Sequence, residues 1–414
     1  MKSDSNDYVI RVFSSPLKVS AARWNALLAT QAEPTPFMRH EYLAALHESG
    51  SATPQTGWTP RFITLWRGEA LAAACALYLK DHSYGEYVFD WAWANAYEQH
   101  GVVYYPKAVV AAPFTPVPGA RLLACDAPAR QALVQVLVEW CAEQKMSSLH
   151  LLFAGDEDVT ACAQAGLMLR HTVQFHWNNA HYRDFDHFLS SLAQDKRKKI
   201  RQERRKVAQA DVDFRWSLGR DISPRDWDFF YRCYERTYYE HGNAPYLSRD
   251  FFQRMADTMP QHWLLFVAER DGKPIATSLI AINEDPVKAT GQFGSKNTEN
   301  ATDPVVARVA YGRYWGALER VDCLHFEACY YQPLQWCIAH GFQRFEGGAQ
   351  GEHKMARALL PVKTTSAHWL AHPAFADAVE RFLTREGEGI DRYMEELERR
   401  NPFKPAPAGS AGPT

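Results

Sequence analysis

The sequence predicts an α+β fold built twice over. Three observations carry that expectation: paired helix openings, paired hairpins and paired helix–strand units, each recurring about 200 residues apart. Pro36-Phe37-Met38-Arg39-His40-Glu41-Tyr42 resembles Pro245-Tyr246-Leu247-Ser248-Arg249-Asp250-Phe251, and each opens an amphipathic helical stretch with an acidic residue in its first turns. Phe62 to Trp66 turns at Arg67-Gly68-Glu69 into Ala70 to Leu79. Leu264 to Glu269 turns at Asp271-Gly272 into Pro274 to Ile282, and Asp-Gly between alternating apolar runs is a strong hairpin signal. Gln131 to Gln144 and Ala328 to His340 then read as apolar-striped helices, each followed by a short strand, Ser148 to Phe153 and Phe342 to Glu346. The concurrence points to tandem duplication of one α+β unit.

Length supports two units, because 414 residues exceed what one hydrophobic core ordinarily organises. The boundary is placed in the polar stretch Asn178 to His187, giving domains at 1–180 and 181–400 and a Pro-, Ala- and Gly-rich tail, 401–414, expected to be disordered. Glu284 to Pro304 reads as a polar loop. Pro373 to Arg400 is periodic for a helix, with Gly387 and Gly389 expected to break it in two. An apolar fraction of 46% with 13 Trp supplies ample core, and a formal charge of −2 argues against a general nucleic-acid coat while leaving room for a local basic patch. No run approaches the ~20 apolar residues that span a bilayer, and the opening MKSDSNDYVIRVF has no apolar signal core, so a cytoplasmic location is expected. Eight scattered Cys without a CxxC pair imply buried, reduced thiols.

The chemistry concentrates in Phe345-Glu346-Gly347-Gly348-Ala349-Gln350-Gly351-Glu352-His353-Lys354. Gly347, Gly348 and Gly351 allow close backbone approach to a ligand, or simply a turn. Transfer of an acyl group to an amine needs a proton acceptor and donors for the oxyanion. Glu346, at the end of a predicted strand, is the first candidate base; His353 and Glu352 are the next, and Gln350 is a polar contact in the same stretch. Glu327 either shares that cleft or is a helix-start charge favoured by the dipole. Lys354 is a cation for substrate phosphate or oxyanion, or a surface lysine. In Tyr311-Gly312-Arg313-Tyr314-Trp315-Gly316 a strand period places Tyr311, Arg313 and Trp315 on one face, either lining the cleft or at an edge. His325-x-Glu327 and Glu352-His353 lack a third ligand, so no metal is expected.

Charge is most uneven in Lys196-Arg197-Lys198-Lys199-Ile200-Arg201-Gln202-Glu203-Arg204-Arg205-Lys206, eight basic residues against one acidic. Arg197, Arg201, Arg204 and Arg205 fall at i, i+4, i+7 and i+8 on one helix face, which reads as a solvated surface or as an electropositive strip for a polyanion.

Several of these blocks together resemble a known family. The stretch around Glu346, the segments His325 to Gln332 and Ala356 to Val362, YGRYWG, SAHW (Ser366 to Trp369), PFTPVPGARLL (Pro113 to Leu123) and VQFHW (Val173 to Trp177) look like the FemAB-like family, within the GNAT-related acyltransferases. The resemblance implies two GNAT-like domains, each a mixed, mostly antiparallel sheet flanked by helices. It implies an acyl or aminoacyl transferase acting on an amine of a peptidoglycan precursor, with acyl-CoA or aminoacyl-tRNA as donor and no tightly bound cofactor. The alternatives it leaves are a non-catalytic binder of such precursors or of nucleotide-sugars, and an acyl-CoA-dependent N-acetyltransferase. It further implies peripheral contact with a membrane-linked precursor, a donor-binding role for the basic helix, and a phosphate or oxyanion role for Lys354. The chain departs from ordinary acetyl-CoA-dependent relatives in lacking their Arg/Gln-x-x-Gly-x-Gly/Ala loop, since Arg308 precedes Gly312 by four positions rather than three.

Overall fold

A computed structural model describes residues 8–283, 307–349 and 351–404. The segment expected as a loop at 284–304, apart from its neighbours, lies outside the described residues, as do Gln350 and the tail from 405. The strands in chain order are β1 (Val9–Phe13), β2 (Trp58–Arg67), β3 (Ala70–Lys80), β4 (Lys107–Val110), β5 (Leu122–Ala124), β6 (Ser148–Ala154), β7 (Met168–Asn178), β8 (Val212–Leu218), β9 (Trp263–Arg270), β10 (Lys273–Ile282), β11 (Val309–Ala317), β12 (Arg344–Ala349) and β13 (Leu360–Leu370).

Two compact units result. The first comprises the chain to Val173 with Ala244–His262 and Lys363–Arg392; the second comprises Gln174–Asn243, Trp263–Val362 and the chain from Tyr393. In the first, the strand order is β1-β2-β3-β4-β6-β13 with β5 also on β3. In the second it is β7-β12-β11-β10-β9-β8. Within each unit the strands pair antiparallel except for one internal parallel pair, β4 with β6 and β11 with β12. The hairpins occupy matching places, β2–β3 turning at Gly68 and β9–β10 at Asp271-Gly272, and Gly68, Asp271 and Gly272 all take positive φ, as tight hairpin turns demand.

Helix starts follow their caps. Ser223 accepts from the Asp226 N–H ahead of helix Pro224–Glu240, Ser248 from the Phe251 N–H ahead of Arg249–Thr258, and Asp126 from the Ala129 N–H ahead of Ala127–Glu143. Helix Ala127–Glu143 then buries Leu133, Val134 and Leu137 against the first sheet, where Ile63, Cys75, Leu77 and Leu151 complete an apolar core.

The units are not the contiguous halves 1–180 and 181–400. Helix Arg249–Thr258, matched in sequence to helix His40–Glu48, packs with that counterpart in the first unit, where Tyr42 and Phe251 meet edge to face at 5.4 Å. Those two rings are the equivalent positions of the repeat, and each buries the other's apolar stripe. Late in the chain, β13 joins β6, with His368 opposite His150. The tail also begins ordered: the Ala193 N–H donates to the Pro402 carbonyl at 2.9 Å and the Lys404 N–H to the Ser191 carbonyl at 3.0 Å.

Two further expectations change. Pro373–Arg399 is one 27-residue helix. Gly387 and Gly389 lie in it with open space around them, and two interior glycines cost only about 1 kcal/mol each, less than burial of Val379 and Leu383 returns. The cysteines are all free, but Cys125 is exposed and Cys323 and Cys329 are partly so.

Candidate active site

The site in the second unit is organised by three glycines and one irregular helix. β12 follows β11 in parallel for three residues, ending at Tyr311 opposite Glu346, while Glu346 faces His176 across β7. The β7 pairing then slips by one residue between Glu346 and Ala349. Gly348 at the slip has φ +79, and a Cβ on Gly347 would sit 2.4 Å from Leu359 Cδ2 and 3.4 Å from Lys354 Cδ. Only glycine allows the returning turn to approach the strand so closely.

Glu346 therefore lies within a strand, not at its open end, and is 3% exposed. β12 continues through the glycines because its bulge accommodates them. One carboxylate oxygen is 3.0 Å from Arg344 Nη2 and the other 3.9 Å from His176 Nε2. Burial, with Arg344 and Lys354 nearby, pulls His176 down to about 3, so that ring is neutral at working pH.

Lys354 stands in the short turn Glu352–Arg357, buried, with Nζ donating to the Gly348 carbonyl at 2.8 Å. Burial draws its ammonium down to about 8. His353 Nε2 pairs with the Tyr330 hydroxyl at 3.1 Å, and burial followed by Arg357 and Lys354 lowers the His353 ring. Gly351, at φ +118, packs under that ring; a Cβ there would lie 2.5 Å from His353 Cε1.

The expected regular helix from Ala328 contains a π turn, Glu327–Tyr331, between helical segments Leu324–Phe326 and Gln332–Ala339. One extra residue per turn fans successive side chains outward, and such turns gather at functional sites. Glu327 is bound by Arg204, whose Nε donates to its oxygens at 3.1 and 3.2 Å, and by Gln332 at 2.7 Å. Cys329 is hydrogen-bonded to Ser278 in the field of Lys354, and its thiol is pushed up to about 12 by burial. Tyr330 takes His353, and the Tyr331 hydroxyl donates to Glu203. Glu203 also receives Arg357 Nη2 at 2.9 Å on both oxygens, while Arg357 Nη1 donates to the His353 carbonyl at 2.6 Å and its guanidinium lies 3.4 Å over Phe326.

The residues matched over this region identify the lineage. The sequence matches a family described as peptidoglycan biosynthesis/recognition over residues 15–405. The chain belongs to the FemAB-like family. No curated protein matches it in sequence. Among solved structures it is similar to the C-terminal domain of a protein described as a lysylphosphatidylglycerol synthetase from Agrobacterium fabrum, at TM-score 0.51 and 10% identity over 88% of this chain and 96% of that one. It is similar to FemX at TM-score 0.50 and 10% identity over 89% and 100%. A tandem GNAT protein from the clavulanic acid biosynthesis pathway gives TM-score 0.43 and 12% identity over 88% and 99%. The fold is two α+β units, an architecture similar to that of the first two of these structures. No described helix is long and apolar enough to cross a membrane, and among the described residues no group of three or more His, Cys, Asp and Glu could hold a metal ion.

Several FemAB-like motif residues serve structure. Arg121 of PFTPVPGARLL donates to the Leu152 and Gly119 carbonyls at 3.0 and 3.2 Å, and Ser366 of SAHW accepts from the Phe153 N–H at 3.1 Å. The structure brings Glu346, Gly347, Gly348, Lys354 and Tyr311 together on β11, β12 and the adjoining turn, and joins His353 to them through that turn. It separates Glu352, which is exposed and bound by Arg400 at 2.8 Å and the Tyr393 hydroxyl at 2.9 Å. Those partners hold its carboxyl below the ordinary range, so it ties the turn to the last helix. Arg313 does not keep strand alternation: the β10 pairing passes from Tyr314 to Gly312, leaving Arg313 as the bulged residue with its guanidinium 5.0 Å from the Tyr314 ring.

The basic run is helix Gln194–Gln209, buried along Ile200, Glu203 and Val207. Its guanidinium row divides: Arg204 turns inward to Glu327, Arg197 is half-buried, and Arg201 is exposed. Sequence reasoning passed over Glu203, Arg357 and Tyr331. The one acid inside a basic run was the available signal for Glu203.

Proposed function

We propose that the chain transfers an acyl or aminoacyl group to an amine of a cell-envelope precursor, on the second unit's Gly347–Gly348 edge. The observation that carries this is Lys354: a buried ammonium folded back onto the Gly348 carbonyl, two residues beyond Glu346 in a strand opened by glycine. In this reading Glu346 accepts the acceptor ammonium's proton, and the freed amine attacks the donor carbonyl of a thioester or ester. Lys354 faces the oxyanion, a position in which a fixed cation is worth several kcal/mol in a water-poor site. The tetrahedral intermediate collapses, the C–S or C–O bond breaks, and the proton shed by the attacking nitrogen goes to the leaving thiolate or alkoxide. The donors that fit are an acyl-CoA or an aminoacyl-tRNA. A membrane-linked precursor met from the cytoplasmic side is the acceptor this reading favours.

The family's description as biosynthesis/recognition, together with the enclosure of Glu346 against Arg344, also supports a binder of the same precursor without turnover. One comparison separates the readings. Glu346→Gln keeps shape and removes proton acceptance, so turnover falls ~10²–10⁴-fold with ligand affinity retained. Lys354→Ala weakens affinity and turnover together. Unchanged turnover in a folded Glu346→Gln variant removes Glu346 from the chemistry; ligand binding by a parent that turns over no donor and acceptor pair selects the binder.

A further inference from the structure

The transfer proposed above needs Lys354 and the Gly347–Gly348 edge open to substrate, yet in this structure they cover each other. The Lys354 side chain lies along the strand, with Nζ on the Gly348 carbonyl at 2.8 Å and Cδ 3.4 Å from where a Cβ on Gly347 would sit, and Lys354 is 3% exposed. The turn Glu352–Arg357 carries it there. The backbone changes hand on both sides of that turn: Gly351 enters it at φ +118 and Ala358 leaves it at φ +64, a conformation that a residue with a side chain adopts at a cost.

The contacts that hold the turn down differ in strength from one end to the other. At its start Glu352 is bound by Arg400 Nη1 at 2.8 Å and by the Tyr393 hydroxyl at 2.9 Å. The Arg400 and Glu352 side chains are 47% and 45% exposed, where an ion pair is weak and salt screens it. In the middle, His353 has the Tyr330 hydroxyl at 3.1 Å and Lys354 has the Gly348 carbonyl, bonds to neutral groups that water replaces at small net loss. At its end Arg357 Nη2 lies 2.9 Å from both oxygens of Glu203, both side chains are buried, and the Tyr331 hydroxyl also donates to Glu203. Parting that pair would strand two charges away from water. The start of the turn therefore gives way long before its end.

We infer that the turn Glu352–Arg357 is a strap, closed here over the Gly347–Gly348 edge, that lifts from its Glu352 end about the Arg357–Glu203 anchor and is fastened by the ion pair of Glu352 with Arg400. Lifting parts Lys354 from the Gly348 carbonyl and opens the strand edge to the acceptor; closing over substrate brings the ammonium back. This rests on the role given above to Lys354 and deepens it by naming how that group is reached.

The test is acylation of lysines by acetic anhydride on the full chain, followed by peptide mass spectrometry, in the parent, Glu352→Gln and Arg400→Gln. Lys198, exposed on helix Gln194–Gln209, is the internal reference. When a segment opens briefly and recloses fast, labelling tracks its open fraction. In the parent, Lys354 should label far more slowly than Lys198. Either substitution should speed Lys354 about two- to fivefold relative to Lys198, the measure of an exposed ion pair. Salt at about 1 M should speed the parent similarly and add nothing in Glu352→Gln. Both variants should melt as the parent does, since both positions are exposed, and either one that does so suffices. Lys354 labelling as fast as Lys198 in the parent overturns the closed strap, and Lys354 labelling unchanged by both substitutions and by salt overturns the fastening. Labelling needs neither donor nor acceptor, so failure of the strap is read separately from failure of the transferase reading, which turnover in Glu346→Gln decides.

Discussion

The parallel strand pair of the first unit closes on itself, whereas that of the second is held open. In the first, Ala108, Val109 and Val110 face Leu149, His150 and Leu151, all buried and none a glycine. In the second, Val309, Ala310 and Tyr311 face Arg344, Phe345 and Glu346, and the parallel pairing stops there, where the glycines begin and β12 bulges against β7. The first unit buries Lys80 and Lys107 and the second Lys354, and Lys107 and Lys354 meet opposite consequences. Lys107 donates to Ser83 at 2.7 Å, to Glu86 at 2.8 Å, and to Asp90. Burial pulls that ammonium down, but Glu86 and Asp90 outweigh it and hold Lys107 above the ordinary lysine value. Nearby, His150 Nδ1 meets His368 Nδ1 at 2.7 Å, with burial pulling the His150 ring down to about 3. Lys354, hydrogen-bonded to a neutral carbonyl, is drawn down to about 8 instead. Sharing a topology, the two units use these two lysines differently: Lys107 is committed to two buried carboxylates, whereas Lys354 rests on a neutral carbonyl beside the strand opened by glycine. Lys80 of the first unit, drawn down to about 7 by burial, is likewise a titrating amine.

The comparison breaks first at Lys107. Lys107→Met should lower the unfolding free energy by about 3–5 kcal/mol, because it strands Glu86 and Asp90 without a cation; urea unfolding measures this. Lys354→Met should change it by about 1 kcal/mol or less, since the loss of one hydrogen bond is offset by relief of the buried charge. Equal losses in the two variants would erase the distinction between the units.

A smaller effect is expected at the opened strand. Gly347→Ala places a methyl on Leu359 and beside Lys354, at a stability cost of about 1–3 kcal/mol, and should reduce turnover by displacing the turn. Thermal melts and assay together separate the two effects. Retention of full turnover would mean that the close approach of Lys354 to the strand is not used.

The finest test is titration. Below about pH 8 Lys354 is protonated both folded and unfolded, and above its ordinary 10.5 it is neutral in both. Between those values the unfolded chain holds more protons, so Lys354 adds stability as pH rises, by on the order of 1–2 kcal/mol after solvent screening. The difference in unfolding free energy between the parent and Lys354→Met, followed from pH 7 to 11, isolates that slope. Amine-selective labelling of Lys354 should show a midpoint near 8; a midpoint near 10.5 would place the amine in solvent.

Local chemistry wrote much of this molecule directly. Asp271-Gly272 and Gly68 make their turns wherever they are placed, Ser223, Ser248 and Asp126 start helices by capping N–H groups within three residues, and the glycine run beside Glu346, His353 and Lys354 marks a site because few other structures need that mixture. Those signals act over a few residues, and the interacting groups are adjacent in the chain. What tertiary structure alone decided rests on partners far apart: helix Arg249–Thr258 leaving its own half to pack Phe251 on Tyr42, Arg204 withdrawn from its basic row by Glu327, and Glu203 fastening Arg357 beneath the turn that carries Lys354. Pattern reading places a charged residue on a helix face, but whether that charge meets water or a carboxylate more than a hundred residues away depends on which elements the hydrophobic cores bring together, and that choice is made by the whole chain at once.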